Sequence, residues 1–249
     1  MNKKNTISRR KFLKHLMMSG AGVGVLPLFL NSPLTFAQSS TPLKIGIIGS
    51  GRIGGSVGLR WAEAGHEILF SSRNPDQLTE LVAQGGPNCR AGYPQEAAEF
   101  GEVILVAVPY AATPQIGRDY GDFMQGKVVI DCGNPYVQRD GEIAADALER
   151  GTGITSAEYL PGVRLVRAFN ALSWREVQNE AHREGELIAI PIAGNDEEAV
   201  AVATQLVIDC GFDPVVVGGG LDRARDFDQG TDVYVKGMTA REMREVLGL

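Results

Sequence analysis

The chain has 249 residues, of which 24 are Lys or Arg and 30 are Asp or Glu, so its formal net charge is −6 at pH 7. This acidic balance argues against nucleic acid and anionic membranes as partners. The three cysteines, Cys89, Cys132 and Cys210, are odd in number and far apart, which favours neither a disulfide framework nor a metal site. From the chain length we expect one domain of ordinary size, with or without a small appendage.

The first 37 residues have the three-part layout of an export signal. The basic segment Ser8 to Lys14 resembles the twin-arginine motif, a mildly apolar run follows from Leu16 to Leu30, and Thr35-Phe36-Ala37 precede the expected cleavage point. The apolar run is broken by Pro27 and is shorter than the ~20 residues that a stable membrane span needs. The segment predicts a periplasmic or otherwise extracytoplasmic protein that engages the twin-arginine export machinery. A retained membrane anchor is the alternative.

The stretch from Leu43 to Gly54 passes from an apolar strand into Gly-x-Gly-x-x-Gly and then into a helical pattern, and a second short strand follows from Glu67 to Ser71. This is the layout of a dinucleotide-binding βαβ unit, in which the diphosphate binds the free N–H groups of the helix N-terminus. The alternative is a glycine-rich turn that only packs tightly. The predicted nucleotide-binding residues are Gly49, Ser50, Gly51, Arg52, Ile53 and Gly54.

The second strand ends in a serine–arginine pair, Ser72-Arg73, and no carboxylate follows before Asp76. NAD-binding units carry an acid near this point for the ribose 2′-hydroxyl, whereas an arginine accommodates the 2′-phosphate of NADP. A guanidinium can hold a phosphate with two charge-assisted hydrogen bonds, and a serine hydroxyl can add another. The pair therefore predicts NADP as cofactor. The alternative is a solvated loop arginine, with Ser72 capping the next helix.

Strands and helical patterns alternate along the rest of the chain, which indicates an α/β fold with a doubly wound, mostly parallel sheet. Further strands are predicted at 89–91, 102–108, 127–131, 164–168, 187–193 and 214–217, and helices at 74–85, 94–100, 173–183 and 197–210. The amphipathic tail 239–247 would cover the core or form the contact of a homodimer. We assign 1–37 to the signal, 38–42 to a linker, 43–218 to the NADP-binding domain and 219–249 to a small C-terminal appendage.

Three segments follow the carboxyl ends of predicted strands: Val108-Pro109-Tyr110, Gly133-Asn134-Pro135 and Phe169-Asn170. Ligands of doubly wound sheets bind outside these strand ends, so the three segments are expected to line one crevice with the glycine turn. The alternative is that these segments only end the strands and begin the loops, because Asn-Pro and Val-Pro commonly end strands.

No catalytic acid or base is predicted. After residue 37 the histidines are His66, in a turn, and His182, in a polar helix tail, and both are interpreted as structural or solvated. No Tyr-x-x-x-Lys pair occurs. Reduction of a carbonyl needs a proton donor at hydrogen-bond reach. Hydride transfer to a flavin-type ring requires mainly that this ring and the nicotinamide stack on each other, because the cofactors themselves carry out the chemistry. The sequence therefore favours a flavin-like or other electron acceptor.

These motifs, in this order, resemble the NADPH-dependent deazaflavin (coenzyme F420) reductases and the related nucleotide domain of membrane ferric reductases. The resemblance covers nearly all of 43–235 and implies a Rossmann domain with NADP(H) at the glycine turn and at Ser72-Arg73. It also implies a flavin or deazaflavin ring stacked on the nicotinamide. The residues that it places near the nicotinamide are Val108, Pro109, Asn134 and Asn170. The motifs that carry it are GSGRIG at 49–54, SR at 72–73, VAVP at 106–109, VIDCGNP at 129–135, AFN at 168–170, AGND at 193–196 and GFDP at 211–214.

The function predicted from the sequence is an NADP(H)-dependent oxidoreductase that transfers hydride between NADPH and a small-molecule electron acceptor, deazaflavin, flavin or another. The alternative is a non-catalytic NADP-binding sensor or partner subunit. A β-hydroxyacid-type reductase is disfavoured, because only about 30 residues follow the predicted sheet and they leave no room for a helical substrate domain.

Overall fold

A computed structural model describes residues 41–249. The predicted export signal, 1–37, lies outside the described residues. Within the described range no helix has both the length and the apolar character needed to cross a membrane.

In the described part of the chain eight strands form one sheet, in the order β3-β2-β1-β4-β5-β6-β7-β8. All neighbours are parallel except β6 and β7, which pair antiparallel through Val166 and Arg167. The predicted doubly wound, mostly parallel α/β fold is confirmed. The strands are β1 (Lys44–Ile48), β2 (Glu67–Ser71), β3 (Cys89–Gly92), β4 (Val103–Val106), β5 (Val128–Asp131), β6 (Arg164–Arg167), β7 (Ala189–Gly194) and β8 (Asp213–Val216).

Ten α-helices connect and follow these strands within residues 41–249, and short 3-10 turns occupy Pro75–Leu78, Tyr110–Ala112 and Gly220–Phe227. The helices are α1 (Arg52–Glu63), α2 (Thr79–Gly85), α3 (Pro94–Phe100), α4 (Thr113–Met124), α5 (Val137–Asp140), α6 (Glu142–Arg150), α7 (Thr152–Tyr159), α8 (Trp174–Asn179), α9 (Glu197–Asp209) and α10 (Ala240–Leu247).

Two helix predictions need correction. The helix predicted over 173–183 ends at Asn179, because the chain then turns so that the His182 N–H donates to the carbonyl of Gly211 at 3.0 Å. His182 itself has a positive φ of 57°, which a continuing helix does not allow. The helix predicted over 74–85 begins instead as a 3-10 turn and becomes α-helical at Thr79.

The sheet has a packed layer on each face. Along β4, Val103 and Leu105 pack with α1 and α9, whereas Ile104 and Val106 pack on the opposite side with α3 and α4. Since successive strand residues point to opposite faces, a continuous apolar run is what a strand buried on both faces requires. The largest side chain on the α1 side is Trp61, whose indole N–H donates to the carbonyl of Leu206 at 2.8 Å.

Several polar residues are buried for structural reasons. His66 is 1% exposed and fixed on both sides, because Leu43 N–H donates to its Nδ1 at 3.1 Å and its Nε2 lies 3.0 Å from Asp209 Oδ2. The three cysteines are all buried and free. Of His66 and the three cysteines, only Cys132 lines the crevice at the strand ends that is described below.

The C-terminal segment 219–249 packs against the last two strands. Phe227, Val233 and Met243 form a third apolar cluster with Ala193 of β7 and Val215 of β8. The C-terminal segment is therefore attached to the sheet through an apolar cluster that it shares with β7 and β8.

A buried ion cluster joins this segment to the centre of the sheet. Arg167, at the end of β6 and 0% exposed, donates to Asp131 at 2.7 Å and to Asp228 at 3.2 Å. The same guanidinium also donates to the carbonyl of Gly133 at 2.8 Å. Burial acts to lower the pKa of Arg167, but the charges of Asp131 and Asp228 outweigh it and hold that pKa above its usual range.

Replacing this arginine tests how much the cluster stabilises the fold. Arg167→Met leaves two buried carboxylates without their cation, so we expect the free energy of unfolding to fall by about 3–5 kcal/mol in urea titrations. The control is Arg164→Met on the same strand, which removes partly exposed ion pairs with Asp196 and Glu198 and should cost far less. Equal losses in the two variants would contradict the assignment.

Candidate functional site

A crevice runs along the carboxyl ends of the parallel strands and consists of two adjoining cavities, of about 750 Å³ and about 520 Å³. Both are lined by Ala107, Val108 and Pro109, which follow β4, so the cavities meet there. We call them the nucleotide cavity and the acceptor cavity. Of the predicted site residues, Gly49, Ser50, Gly51, Ser72, Arg73, Val108 and Pro109 line the nucleotide cavity, and Arg52, Ile53, Val108, Pro109 and Asn134 line the acceptor cavity. Gly54 and Asn170 line neither.

The three glycines of the turn have different reasons to be glycine. Gly49 has a φ of +97°, and a Cβ there would lie 2.6 Å from the carbonyl oxygen of Ala107. A Cβ on Gly54 would lie 2.2 Å from the carbonyl oxygen of Gly49, so this residue allows α1 to pack on β1. Gly51 has an ordinary φ of −77°, and a Cβ there would meet nothing within 4 Å. The fold itself does not need a glycine at 51, and the open space belongs to the nucleotide cavity.

The start of α1 faces this space with unpaired backbone donors. Gly51 caps the helix without a side-chain hydrogen bond, and no acid lies in the first turn. The first helical bond runs from Gly55 N–H to the Gly51 carbonyl, so the preceding helical N–H groups have no partner within the helix. These groups and the positive end of the helix dipole suit an anion such as a diphosphate.

Ser72 and Arg73, which follow β2, also line the nucleotide cavity. The Ser72 hydroxyl accepts a hydrogen bond from Asn74 N–H at 3.0 Å, and its own proton stays available for a ligand. The cap of the following helical turn is Asn74, not Ser72. Arg73 is exposed and forms no ion pair within residues 41–249, and it is the one cationic side chain of the described residues that lines this cavity. Its free guanidinium suits the 2′-phosphate of NADP.

The acceptor cavity is built on loops that the buried ion cluster holds in place. Asn134 Nδ2 donates to the carbonyl of Asn170 at 2.8 Å, and Asn170 Nδ2 donates to Asp228 at 3.3 Å. Asn170 is 1% exposed, so it supports the loop of Asn134 from behind rather than facing the cavity. Arg167 holds the same loop through the carbonyl of Gly133.

Two residues with positive φ that are not glycine border the acceptor cavity: Phe169 at 63° and Val235 at 52°. A β-branched residue in this region is strained, and such strain is found where the surroundings enforce a functional geometry. Val235 is held by its N–H, which donates to the carbonyl of Ala171 at 2.9 Å.

Several residues of the acceptor cavity were not predicted as site residues from the sequence. Tyr136 directly follows the predicted segment Gly133-Asn134-Pro135, and Trp174 lies four residues after Asn170. This closeness to predicted segments is a signal that could have found them. Tyr234 and Val235 come from the C-terminal segment, and no local pattern marks them. The unpredicted residues that line the cavity include Tyr136, Arg139, Trp174, Tyr234 and Val235.

The acceptor cavity offers little acid–base chemistry. Among the described residues that line it there is no Asp, Glu, His or Lys. Burial raises the pKa of Cys132 to about 12, so this thiol stays protonated at neutral pH. The partly exposed Trp174 lines the cavity, with the guanidinium of Arg52 at 5.5 Å and that of Arg175 at 4.6 Å from its ring centre. Within residues 41–249 no three His, Cys, Asp or Glu side chains are grouped to hold a metal ion.

Residues 44–135 match the profile of the family described as "NADP oxidoreductase coenzyme F420-dependent". The chain is 25% identical over 206 residues to an F420-dependent NADP reductase of Methanothermobacter thermautotrophicus, covering 78% of this chain and 88% of that protein. It is 28% identical over 192 residues to Metalloreductase STEAP3 of Rattus norvegicus, covering 74% of this chain but only 36% of that protein. The chain thus corresponds to about a third of the length of the metalloreductase.

Solved structures agree on the fold. A hypothetical protein of Sinorhizobium meliloti superposes with a TM-score of 0.66 at 24% identity, covering 82% of this chain and 97% of that chain. A putative F420-dependent NADP reductase of Arthrobacter sp. FB24 superposes with a TM-score of 0.61 at 19% identity, covering 74% and 87%. At these sequence identities, the structural similarities support the fold alone. Together with the family profile, the sequence matches confirm the resemblance that the motifs predict.

The glycines of the turn provide a matched test of nucleotide binding. Gly51→Ala should leave the free energy of unfolding within about 1 kcal/mol of wild type. It should weaken NADPH binding roughly ten- to hundred-fold, because a methyl in the ligand's space costs about 1–3 kcal/mol. Gly54→Ala should instead destabilise the fold by about 1–3 kcal/mol. Calorimetric titration and urea unfolding measure the two effects, and undiminished NADPH binding by Gly51→Ala would contradict the site.

Arg73 provides the test of cofactor choice. Arg73→Ala should weaken NADPH binding by about 1–3 kcal/mol, the worth of hydrogen bonds to a charged group, and leave NADH binding nearly unchanged. Titration with the two nucleotides checks this, with Arg241→Ala, an exposed arginine outside both cavities, as the control. Equal losses for NADPH and NADH would show that Arg73 does not recognise the 2′-phosphate.

Proposed function

Residues 44–135 match the family of coenzyme F420-dependent NADP oxidoreductases, and from this premise we propose that the chain transfers hydride between NADPH and a flavin-like electron acceptor. The enzyme class predicted from the sequence, an NADP-dependent oxidoreductase, is confirmed. The identity of the acceptor, a deazaflavin, a flavin or another small electron acceptor, is the part that we propose.

The observation that carries the proposal is the junction of the two cavities at Val108 and Pro109. NADP would be held at its diphosphate by the turn around Gly51 and at its 2′-phosphate by Ser72 and Arg73. When bound, it supplies a hydride. The junction gives its reactive end access to the acceptor cavity, where a second ring has room.

The lining of the acceptor cavity supports a ring-shaped acceptor over a simple alcohol or ketone. Ile53, Val108 and Pro109 form apolar surface, and Trp174 adds an aromatic face. A carbonyl reductase would need a proton donor of suitable pKa, but no His, Lys or carboxylate among the described residues lines this cavity. Of the two tyrosines that line it, Tyr234 has a pKa that burial raises well above its ordinary value, which makes it a poor acid. When the acceptor is a cofactor ring, the two stacked rings carry out the hydride transfer and the protein need not supply a proton donor. The relative named as an F420-dependent NADP reductase supports a coenzyme as the second reactant.

We also propose export of the folded protein through the twin-arginine route, since residues 1–37 resemble its signal. That route, by the same resemblance, moves proteins that already hold their cofactor. Free NADP is not expected outside the cytoplasm, so the nucleotide would leave bound and would be recycled in place.

The test begins with protein purified from the periplasm, denatured, and analysed by mass spectrometry for released nucleotide. We expect NADP(H), and we expect NADPH oxidation in the purified protein to depend on added FMN or 5-deazaflavin. A protein that binds NADPH but passes its hydride to none of the acceptors offered would favour the non-catalytic sensor or partner subunit. Saturating turnover of a simple ketone would contradict the proposed acceptor class, and failure to bind NADPH at all would remove the proposal entirely.

A further inference from the structure

Two tyrosines far apart in the sequence meet in the acceptor cavity. Tyr136 lies just beyond the end of β5 and Tyr234 lies in the C-terminal segment, yet their hydroxyls are hydrogen-bonded to each other. Both residues line the acceptor cavity, and both side chains are partly buried. The pair is the point where the C-terminal segment closes the cavity wall.

The pair has a hydrogen-bond donor to spare. Two phenols carry two O–H protons, and the bond between them uses one. Neither hydroxyl has another hydrogen-bond partner within residues 41–249, so whichever phenol accepts in the pair has its own proton free for a ligand. Burial and the hydrogen bond with Tyr136 raise the pKa of Tyr234 well above its ordinary value. Tyr234 therefore stays protonated at ordinary pH, as a donor requires.

The surroundings hold both tyrosines in place. The Arg139 guanidinium lies 4.9 Å from the Tyr136 ring centre and donates to the carbonyl of Asn134 at 2.7 Å. Tyr136 N–H donates to the buried carboxylate of Asp140 at 3.0 Å. On the other side, the residue after Tyr234 is the strained Val235, fixed through its N–H. Such support on both sides is what a recognition element needs, because little order has to be gained on binding.

The rest of the cavity is chemically different from this pair. Its other walls carry apolar side chains, Ile53, Val108 and Leu172, and the ring of Trp174. Asn134, Ser173 and two arginines also line it, but the guanidinium of Arg52 lies over the Trp174 ring and that of Arg139 is bonded to Asp140. A ligand that matches this arrangement is a flat apolar ring system with a hydrogen-bond acceptor on one edge. Ring carbonyl oxygens of flavin-type acceptors have this form, whereas phenazine, an unsubstituted tricyclic ring, has no carbonyl oxygen and accepts only weakly through the nitrogens of its central ring.

We propose that the Tyr136–Tyr234 pair recognises the acceptor by donating a hydrogen bond to a ring carbonyl oxygen and thereby orients the ring in the acceptor cavity. The pair is a positioning and specificity element that acts on the acceptor and not on NADP. This inference rests on the proposed function, because it takes the acceptor cavity as the place of the second ring.

The test measures the affinity of NADP⁺-saturated protein for two uncharged probes, lumiflavin and phenazine. The variant that removes the hydroxyl donating to the ring, Tyr136→Phe or Tyr234→Phe, should weaken lumiflavin binding roughly three- to ten-fold, the worth of one neutral hydrogen bond, and the other variant should weaken it less. Phenazine and NADP⁺ binding should stay unchanged in both. The double variant should lose about as much as the more affected single variant, because only one hydroxyl donates to the ring. Tyr159→Phe is the control, since Tyr159 lies on α7 and lines neither cavity.

Each other outcome has a defined meaning. Lumiflavin binding that is the same in wild type and both variants overturns the inference and leaves the proposed function standing. The inference is also overturned if wild type binds NADP⁺ but not lumiflavin, or binds phenazine at least as tightly as lumiflavin, a comparison that stands even if the variants fail to fold. Loss of NADP⁺ binding in wild type would instead remove the proposed function, and the inference with it.

Discussion

The buried guanidinium of Arg167 is the interaction on which the acceptor half of the crevice depends. It lies between Asp131 and Asp228, fully removed from water, and it also holds the carbonyl of Gly133. A charge in such a position is tolerated only when partners surround it, so the end of β5, the end of β6 and the C-terminal segment must adopt one arrangement together. The loops that line the acceptor cavity leave from these same points.

The nucleotide half of the crevice depends on a different constraint, the close approach of backbone to backbone. Gly49 and Gly54 let α1 begin directly against β1 and the end of β4, and Gly51 keeps open space where a ligand can approach. This half is a local consequence of one strand, one turn and one helix. The acceptor half needs chain segments about 100 residues apart, and it is where the strained residues Phe169 and Val235 lie.

The division has a functional logic. A nucleotide site built from a local motif can be shared by many proteins, whereas an acceptor site built from distant loops can change without disturbing it. The agreement between the family profile over 44–135 and the first half of the sheet reflects the same division, because the matched range contains the glycine turn and Ser72-Arg73 but ends just after Asn134. The proposed acceptor site draws on residues beyond this range, and the tyrosine pair, Tyr136 and Tyr234, lies wholly outside it.

The sequence by itself determined the parts of this protein that follow from local patterns. Apolar runs and glycine spacing were enough to predict the α/β fold, the turn at Gly49 to Gly54 and the loop of Ser72-Arg73. Strand burial, tight turns and helix starts depend on neighbouring residues, so a local pattern can predict them. Local pattern failed where long-range contacts decide, as at the early end of α8, which is set by the bond from His182 to Gly211. Only the tertiary structure brought Tyr234 to Tyr136 and Asp228 to Arg167, since such pairings depend on how the C-terminal segment packs on β7 and β8, and no spacing in the sequence encodes them.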